Sequence, residues 1–282
     1  RTAIECGDRT VTYAELMAQV DARAGELSRW VYDGAVVALR RDKSVAYVTD
    51  LLAILALGGI VMPIDTRLPD ARVEAMMRIV PPQAVITDHD LRATDWHNPV
   101  SDHPHRGERP AYVMFTSGST GTPKAILGNL SALLHFIEWQ GCEFDVSEED
   151  CVSFLTPVGF DVSLRDIFLP LLHGATLVIP VEQDISTPGS LTRWMASKRI
   201  SIVHGVPSVA KLWARAMGHA APTLRMFFLA GEKLYPATVA ELRAAFGDRT
   251  EYVNLYGPSE TTLAKFFHRV EKFDADDIAP IP

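Results

Sequence analysis

The chain has 282 residues, 48% hydrophobic and 22% charged, a composition of ordinary globular proteins that excludes a chain disordered throughout. A count of 35 acidic against 27 basic residues gives a net charge of -8 with no basic run, which excludes nucleic acid as a partner. The longest apolar run, LLAILALGGIVMPI, is broken by Gly58 and Gly59 and is too short to span a bilayer. With no apolar cleavable segment in RTAIECGDRT, the expectation is a cytoplasmic protein without a membrane partner.

Residues 13–30, YAELMAQVDARAGELSRW, place Leu16, Val20, Ala24, Leu27 and Trp30 at three- and four-residue intervals, which predicts an amphipathic helix. VVALRRD then predicts a strand, VAYVTDLLAILAL a helix ended by Gly58 and Gly59, IVMPI a strand, PDARVEAMMRIV a helix and AVITD a strand. Residues 88–110 break this rhythm with histidine, proline and charge. They are read as a solvated connector between lobes at 1–87 and 111–282, since His103 and His105 lack the companions a closed metal site needs.

The alternation then resumes: NLSALLHFIEWQ helical, CVSFLTP extended, LRDIFLPLLHG helical, ATLVIP extended, LTRWMASKR helical and ISIVHG extended. SVAKLWARAM reads as helix, RMFFLAG as strand, ATVAELRAAFG as helix and EYVNLYG as strand. Parallel strands need helical crossovers, so the pattern predicts an α/β fold with mostly parallel sheets. Cys6, Cys142 and Cys151 are too few and too scattered for a disulfide framework or a zinc site, which points to a reducing compartment.

Three polar stretches interrupt the apolar pattern. In YVMFTSGSTGTPKA, an apolar run leads into Thr116, Ser117, Gly118, Ser119, Thr120, Gly121, Thr122 and Lys124. It is not a Walker loop, because Lys124 follows proline and Ala125 stands where a hydroxyl would hold magnesium. Its glycines, hydroxyls and ammonium still suit phosphate oxygens, against the plainer reading of a glycine-serine connector. VNLYGPSETT gathers Asn254, Tyr256, Gly257, Pro258, Ser259, Glu260 and Thr261 past a strand end, where α/β sheets bind ligands. An amide and a phenol ring suit a purine, and a carboxylate suits magnesium. In GFDVSLRDIF, Asp161 opens a helix among apolar neighbours, either as an N-cap or as a carboxylate that selects an ammonium.

Together VTYAEL, LAILALGGIVMPID, FTSGSTGTPKA, FDVSLRDIF and NLYGPSETT resemble, in order and over nearly the whole chain, the core motifs of the adenylation domains of nonribosomal peptide synthetases, within the adenylate-forming enzymes. The resemblance implies the large N-terminal core of that fold, in two βαβ-type layered subdomains. It also implies attack of an amino-acid carboxylate on the α-phosphate of ATP, giving an aminoacyl adenylate and pyrophosphate. Transfer to the phosphopantetheine thiol of a carrier-protein partner follows, with ATP and Mg2+ as cofactors.

On the same footing, Thr116 to Lys124 hold the triphosphate, Thr116, Lys124 and Glu260 are catalytic, and Glu260 binds the metal. Asn254 meets the base edge and Tyr256 the ring or ribose, within a nucleotide-binding turn that includes Leu255, Gly257, Pro258 and Ser259. Asp161 pairs with the substrate ammonium. Val162, Arg165, His204, Phe228, Ala230, Leu255, Leu263 and Ala264 form the side-chain pocket. Arg165 and His204 either meet a polar group of the substrate, which leans toward a small polar or acidic one, or turn away to pair with Asp166 or backbone.

The chain departs from the family pattern at Leu57 for a lysine, Ala125 for a glycine, Asn129 for a histidine and Ser259 for a threonine. It also stops at IAPIP, so the ribose-binding aspartate, the hinge and the mobile C-terminal domain with its lysine are expected to be missing. The alternatives are an acyl- or aryl-acid CoA ligase and a non-catalytic binding or scaffold module. Loss of a positive charge at the reacting phosphate and carboxylate predicts binding with severely reduced turnover. Near-normal amino-acid-dependent exchange of labelled pyrophosphate into ATP by the isolated chain would refute this.

Overall fold

The alternation of helices and strands builds two sheets whose strands run mostly parallel, as the pattern predicts. The computed structural model describes residues 1–94, 109–117, 123–187, 189–216, 223–271 and 277–282. His103 and His105, and Gly118, Ser119, Thr120, Gly121 and Thr122 of the hydroxyl-rich stretch, lie outside the described residues.

In chain order, β1 (Thr2–Cys6) and β2 (Arg9–Thr12) precede α1 (Tyr13–Leu27), β3 (Val36–Arg40), α2 (Val45–Ala56), β4 (Ile60–Pro63), α3 (Asp70–Ile79), β5 (Ala84–Thr87) and β6 (Leu91–Ala93). Then come β7 (Pro110–Ser117), β8 (Pro123–Asn129), α4 (Leu130–Glu143), β9 (Cys151–Ser153), α5 (Val162–Leu172), β10 (Thr176–Ile179), α6 (Glu182–Ile185) and α7 (Ser190–Ser197). β11 (Ile202–Gly205), α8 (Pro207–Arg215), β12 (Met226–Ala230), α9 (Pro236–Phe246), β13 (Glu251–Tyr256) and β14 (Phe266–Arg269) complete the order.

Two compact units result, one of Arg1–Thr10, Ile137–Thr156 and Arg165–Pro282, the other of Val11–Phe136 and Pro157–Leu164. Each is assembled from separate stretches of chain, because strand pairing and not sequence order decides which segments are neighbours.

In the second unit the described strands run β6-β5-β3-β4-β7-β8, antiparallel only at the β5/β6 and β7/β8 pairs. Val36, Ala38, Ile60, Met62 and Val113 of the sheet pack on Val73 and Met76 of α3. α1 starts at a capping box: the Thr12 hydroxyl accepts from the Glu15 N–H at 3.2 Å, and the Glu15 carboxylate accepts from the Thr12 N–H at 2.8 Å. α2 buries most of its circumference, including Asp50, whose carboxylate is held by Arg23 Nε at 2.6 Å and by Arg41. α2 ends at Leu57, and Gly58, at a φ of 86°, leads the chain toward β4.

β7 and β8 pair with Thr116 opposite Lys124 and Ser117 opposite Pro123, so the hydroxyl-rich stretch joins the arms of an antiparallel hairpin. The sequence pattern does not predict β8: only its Pro123 and Gly128 are buried, so the apolar Ala125, Ile126 and Leu127 show no alternation that records a core face. Tyr112 faces Gly128 across the pair, and a Cβ on Gly128 would come 1.9 Å from the Tyr112 ring. Gly128→Ala is therefore expected to force the buried ring aside at a cost of about 1–3 kcal/mol, read as a lower urea midpoint. An unchanged midpoint would show that the ring moves without penalty.

In the first unit the described strands run β14-β13-β12-β11-β9-β10-β1-β2. The chain passes from β9 to β10 on one side and then crosses to β11 on the other, making a switch point at which α/β sheets hold ligands beyond their carboxyl ends. Successive residues of a strand alternate between faces. Val203, Phe227, Leu229 and Tyr252 share one face and join Trp194, Met195, Leu242 and Phe246 in the core. His204, Phe228, Ala230, Val253 and Leu255 therefore lie on the other.

Candidate functional site

Facing positions of an antiparallel pair project from the same side, so half-buried Thr116 and exposed Lys124 place a hydroxyl beside an ammonium. That pair suits a phosphate oxygen, which accepts from both. Ala125 lies within β8 opposite Phe115. Asn129 closes β8, and its Oδ1 accepts from Ala132 N–H at 2.8 Å and from the Ser131 hydroxyl at 3.0 Å, which caps α4.

Asp161, 6% exposed, directly precedes α5. Its Oδ1 accepts from the N–H of the adjacent Val162 at 2.9 Å. A capping side chain instead reaches the second or third amide of the helix. Its Oδ2 is buried without a hydrogen-bond partner among the described residues. A carboxylate oxygen removed from water without a donor is costly, and a ligand N–H removes that cost. Val162, at the start of α5, is half-buried.

Beyond β13, Ser259–Thr261 form a single 3-10 turn, and Lys265 N–H donates to the Tyr256 carbonyl at 2.8 Å to close the loop. A Cβ on Gly257 would come 2.5 Å from the Leu263 carbonyl oxygen and 2.6 Å from Ala264 Cα, so a side chain there would displace backbone. Thr262 and Leu263 take positive φ values of 64° and 59°. For non-glycine residues this costs on the order of 1 kcal/mol or more each, and such strain gathers at functional sites. No sequence signal marks it, since neither residue type favours that conformation.

The other residues expected at the nucleotide are on this segment. Asn254 is buried, and its Nδ2 donates to the carbonyls of Ile281 at 3.2 Å and Pro282 at 2.7 Å. Tyr256 is 69% exposed, with the Phe266 ring 6.3 Å away. Ser259 is half-buried, and Pro258 and Glu260 are exposed. The Glu260 carboxylate has no hydrogen-bond or ion-pair partner among the described residues, which leaves a hard oxygen donor of the type magnesium takes. Among the described residues no three His, Cys, Asp or Glu gather as a preformed metal cluster.

Two of the remaining expected residues, Arg165 and His204, belong to a buried polar network. In register His204 pairs with Phe228, and Ala230 with Leu255, which brings these four onto one face; Ala230 is half-buried, and Leu263 and Ala264 are buried. His204 stacks on Phe228 with centroids 4.9 Å apart, and Phe228 meets Phe144 edge-on at 4.8 Å. His204 Nδ1 lies 3.0 Å from Asp166 Oδ1, though off the line of an ideal hydrogen bond, and Nε2 lies 3.0 Å from Gln140 Nε2. Arg165 Nε is 3.9 Å from Asp166 Oδ1, and Asp166 Oδ2 accepts from Thr156 N–H at 3.2 Å.

Burial, and then the nearby Arg165 charge, push His204 down to about 4 against the opposing pull of Asp166. The imidazole is therefore neutral, its Nε2 accepting from the Gln140 amide and its Nδ1–H turned toward Asp166. Gln140 was missed by the sequence reading. The available signal was a glutamine three and four residues after buried Ile137 and Phe136, on the face that helical periodicity gives to the core.

A model of the AMP-binding enzyme family matches residues 1–103 and 90–280. Surfactin synthase subunit 2 of Bacillus subtilis is 26% identical over 303 aligned positions, covering 100% of this chain and 8% of its own length. Enterobactin synthase component F of Escherichia coli is 31% identical over 274 positions, covering 89% of this chain and 21% of its own length. The chain thus spans a minor part of these curated relatives. Among solved structures, the nonribosomal peptide synthetase FmoA3 superposes with a TM-score of 0.85 at 26% identity over 100% of this chain and 32% of its own. Its AMPPNP-bound form superposes with a TM-score of 0.82 at 26% identity over 97% of this chain and 31% of its own.

The His204 network makes a measurable prediction about stability. The folded imidazole takes a proton only below about 4, whereas the unfolded one takes it from about 6.5, so acid favours unfolding across that window. The stability advantage of wild type over His204→Gln is expected to shrink by on the order of 3 kcal/mol as pH falls from 7 to 4. A pH-independent difference in urea midpoints would contradict it.

Proposed function

Because the chain belongs to the AMP-binding enzyme family, we propose that it is the substrate-binding core of an amino-acid-activating adenylation domain. Its curated relatives include a dimodular nonribosomal peptide synthase and surfactin synthase subunit 2, and it shares the α/β fold of nonribosomal peptide synthetase structures. Use of ATP follows from the family. The observation that carries the finer reading is the buried, unpartnered Oδ2 of Asp161, since an amino-acid ammonium supplies the donor and charge that this oxygen lacks.

In the proposed reaction, a carboxylate oxygen of the amino acid attacks the α-phosphorus of ATP. The bond to the bridging oxygen breaks, and pyrophosphate leaves with the electron pair. Lys124 and the Thr116 hydroxyl donate to phosphate oxygens and offset the repulsion between two anions. Asn254 and Tyr256 position the adenosine, and Asp161 orients the amino acid through its ammonium. Glu260 together with phosphate oxygens would hold Mg2+, which supplies positive charge at the phosphates. In the second half-reaction, a carrier-protein phosphopantetheine sulfur attacks the acyl carbon and AMP leaves.

The test is binding to the chain itself. Asp161→Asn retains the oxygen that accepts from Val162 N–H but removes the charge. It is expected to weaken an aminoacyl sulfamoyl adenosine by about 30-fold or more while leaving the deaminated acyl analogue within about 3-fold. Lys124→Ala is expected to lower AMPPNP affinity by about 10-fold. Equal loss of both sulfamoyl ligands on Asp161→Asn would favour an acyl- or aryl-acid ligase, and no AMPPNP binding by wild type would favour a scaffold.

A further inference from the structure

Resting on the reading that Asn254 meets the base of ATP, we infer that Ile281 and Pro282 are positioning residues of the nucleotide site. By holding both hydrogens of the Asn254 amide they leave Oδ1 as the one atom it turns to the base, so the residue selects a 6-amino purine over a 6-oxo purine. Asn254 Nδ2 donates to the Ile281 carbonyl at 3.2 Å and to the Pro282 carbonyl at 2.7 Å. A side-chain amide nitrogen carries two hydrogens, and both are engaged. Among the described residues no donor reaches Oδ1. The opposite orientation would set Oδ1 against two carbonyl oxygens, acceptor facing acceptor, and leave all three without a donor.

The two carbonyls are themselves held in place. Ile281 N–H donates to the Leu234 carbonyl at 2.7 Å in an antiparallel bridge, and the Ile281 side chain packs on the core cluster that contains Leu229, Leu234 and Tyr252. Asn254 lies opposite Leu229 in the pairing of β12 with β13 and is 8% exposed. Tyr256, two positions further along the strand, projects from the same side. On the proposed reading, a base lying against the Tyr256 ring turns its edge to Asn254. An amide oxygen accepts from the exocyclic amino group of adenine, whereas the 6-oxo group of hypoxanthine or guanine meets it acceptor to acceptor.

The experiment is calorimetric titration of the wild-type chain, with magnesium, by three imidotriphosphates that carry an amino group, hydrogen or oxygen at the 6-position: AMPPNP and its purine riboside and inosine analogues. The purine riboside analogue is expected to bind about 10-fold and the inosine analogue about 30-fold more weakly than AMPPNP, since the first lacks the donor and the second opposes two acceptors. Equal binding by all three, or tightest binding by the inosine analogue, overturns the inference but leaves nucleotide binding standing. Failure of AMPPNP to bind removes both readings.

A second arm tests the positioning. Ile281→Pro removes the N–H that ties the segment to Leu234. It is expected to lower the ratio of AMPPNP to inosine-analogue affinity from about 30-fold to about 5-fold, because a released amide is free to turn and donate to a 6-oxo group. General loosening would weaken both nucleotides alike and leave the ratio unchanged. An unchanged ratio in a variant with wild-type circular dichroism therefore removes Ile281 and Pro282 from the role. Should this variant not fold, Ile281→Gly, which loses the side-chain packing on the core, is read in the same way.

Discussion

In the parallel pairing of β11, β12 and β13, each residue is committed by its register to one face of the sheet or the other. Phe227, Leu229 and Tyr252 go to the core with α7 and α9, so His204, Phe228, Ala230 and Leu255 must go to the opposite face. A slip of one residue in any strand would exchange the two sets and bury the polar network among the core side chains. The core that stabilises this unit and the surface proposed to read the substrate are thus two sides of one hydrogen-bonded ladder. The aromatic stacking of Phe227 on Tyr252 at 6.1 Å and of His204 on Phe228 at 4.9 Å expresses that division, one pair on each face.

Buried carboxylates are handled in contrasting ways. Asp50 is ligated by Arg23 and Arg41, and Asp150 by Arg225 at 2.7 Å with the Ser201 hydroxyl donating at 2.7 Å, so both carboxylates are satisfied within the protein. Arg225 in turn holds Asp150 below the usual carboxylate range, against the burial that would raise it. These are structural ion pairs, whose disruption would leave a buried charge. Asp161 differs: one oxygen meets only the adjacent amide, and the other has no donor among the described residues. Asp166 lies between these cases: its Oδ2 accepts from Thr156 N–H, while its Oδ1 lies 3.0 Å from His204 Nδ1 without hydrogen-bond geometry.

The positive φ values of Thr262 and Leu263, and the absence of room for a side chain at Gly257, occur in the loop that carries Glu260. Left-handed backbone also occurs at Asp145 and Arg199, at φ values of 49° and 53°, and at glycines such as Gly58, which adopts it without steric cost. In the proposed function, that loop and the paired Thr116 and Lys124 act on the nucleotide. The residues replaced relative to the family pattern have local roles: Asn129 caps α4, and Ala125 occupies a strand position opposite Phe115.

Periodicity alone located the main helices and parallel strands, because apolar spacing records burial directly; Leu16, Val20 and Leu27 of α1 are buried as their spacing requires. The order of quoted motifs was likewise sufficient to identify the family, since those stretches are contiguous in the chain. β8 and β14 escaped that reading because they are edge strands with mostly exposed side chains, whose existence depends on a partner supplied from elsewhere. Only the tertiary structure could decide that Asp161 leaves an oxygen unpaired, that Gln140 bonds His204 beside Asp166, and that Thr262 is strained. Gln140 and His204 are 64 positions apart, and no local pattern encodes a contact whose donor and acceptor meet only after two elements have packed.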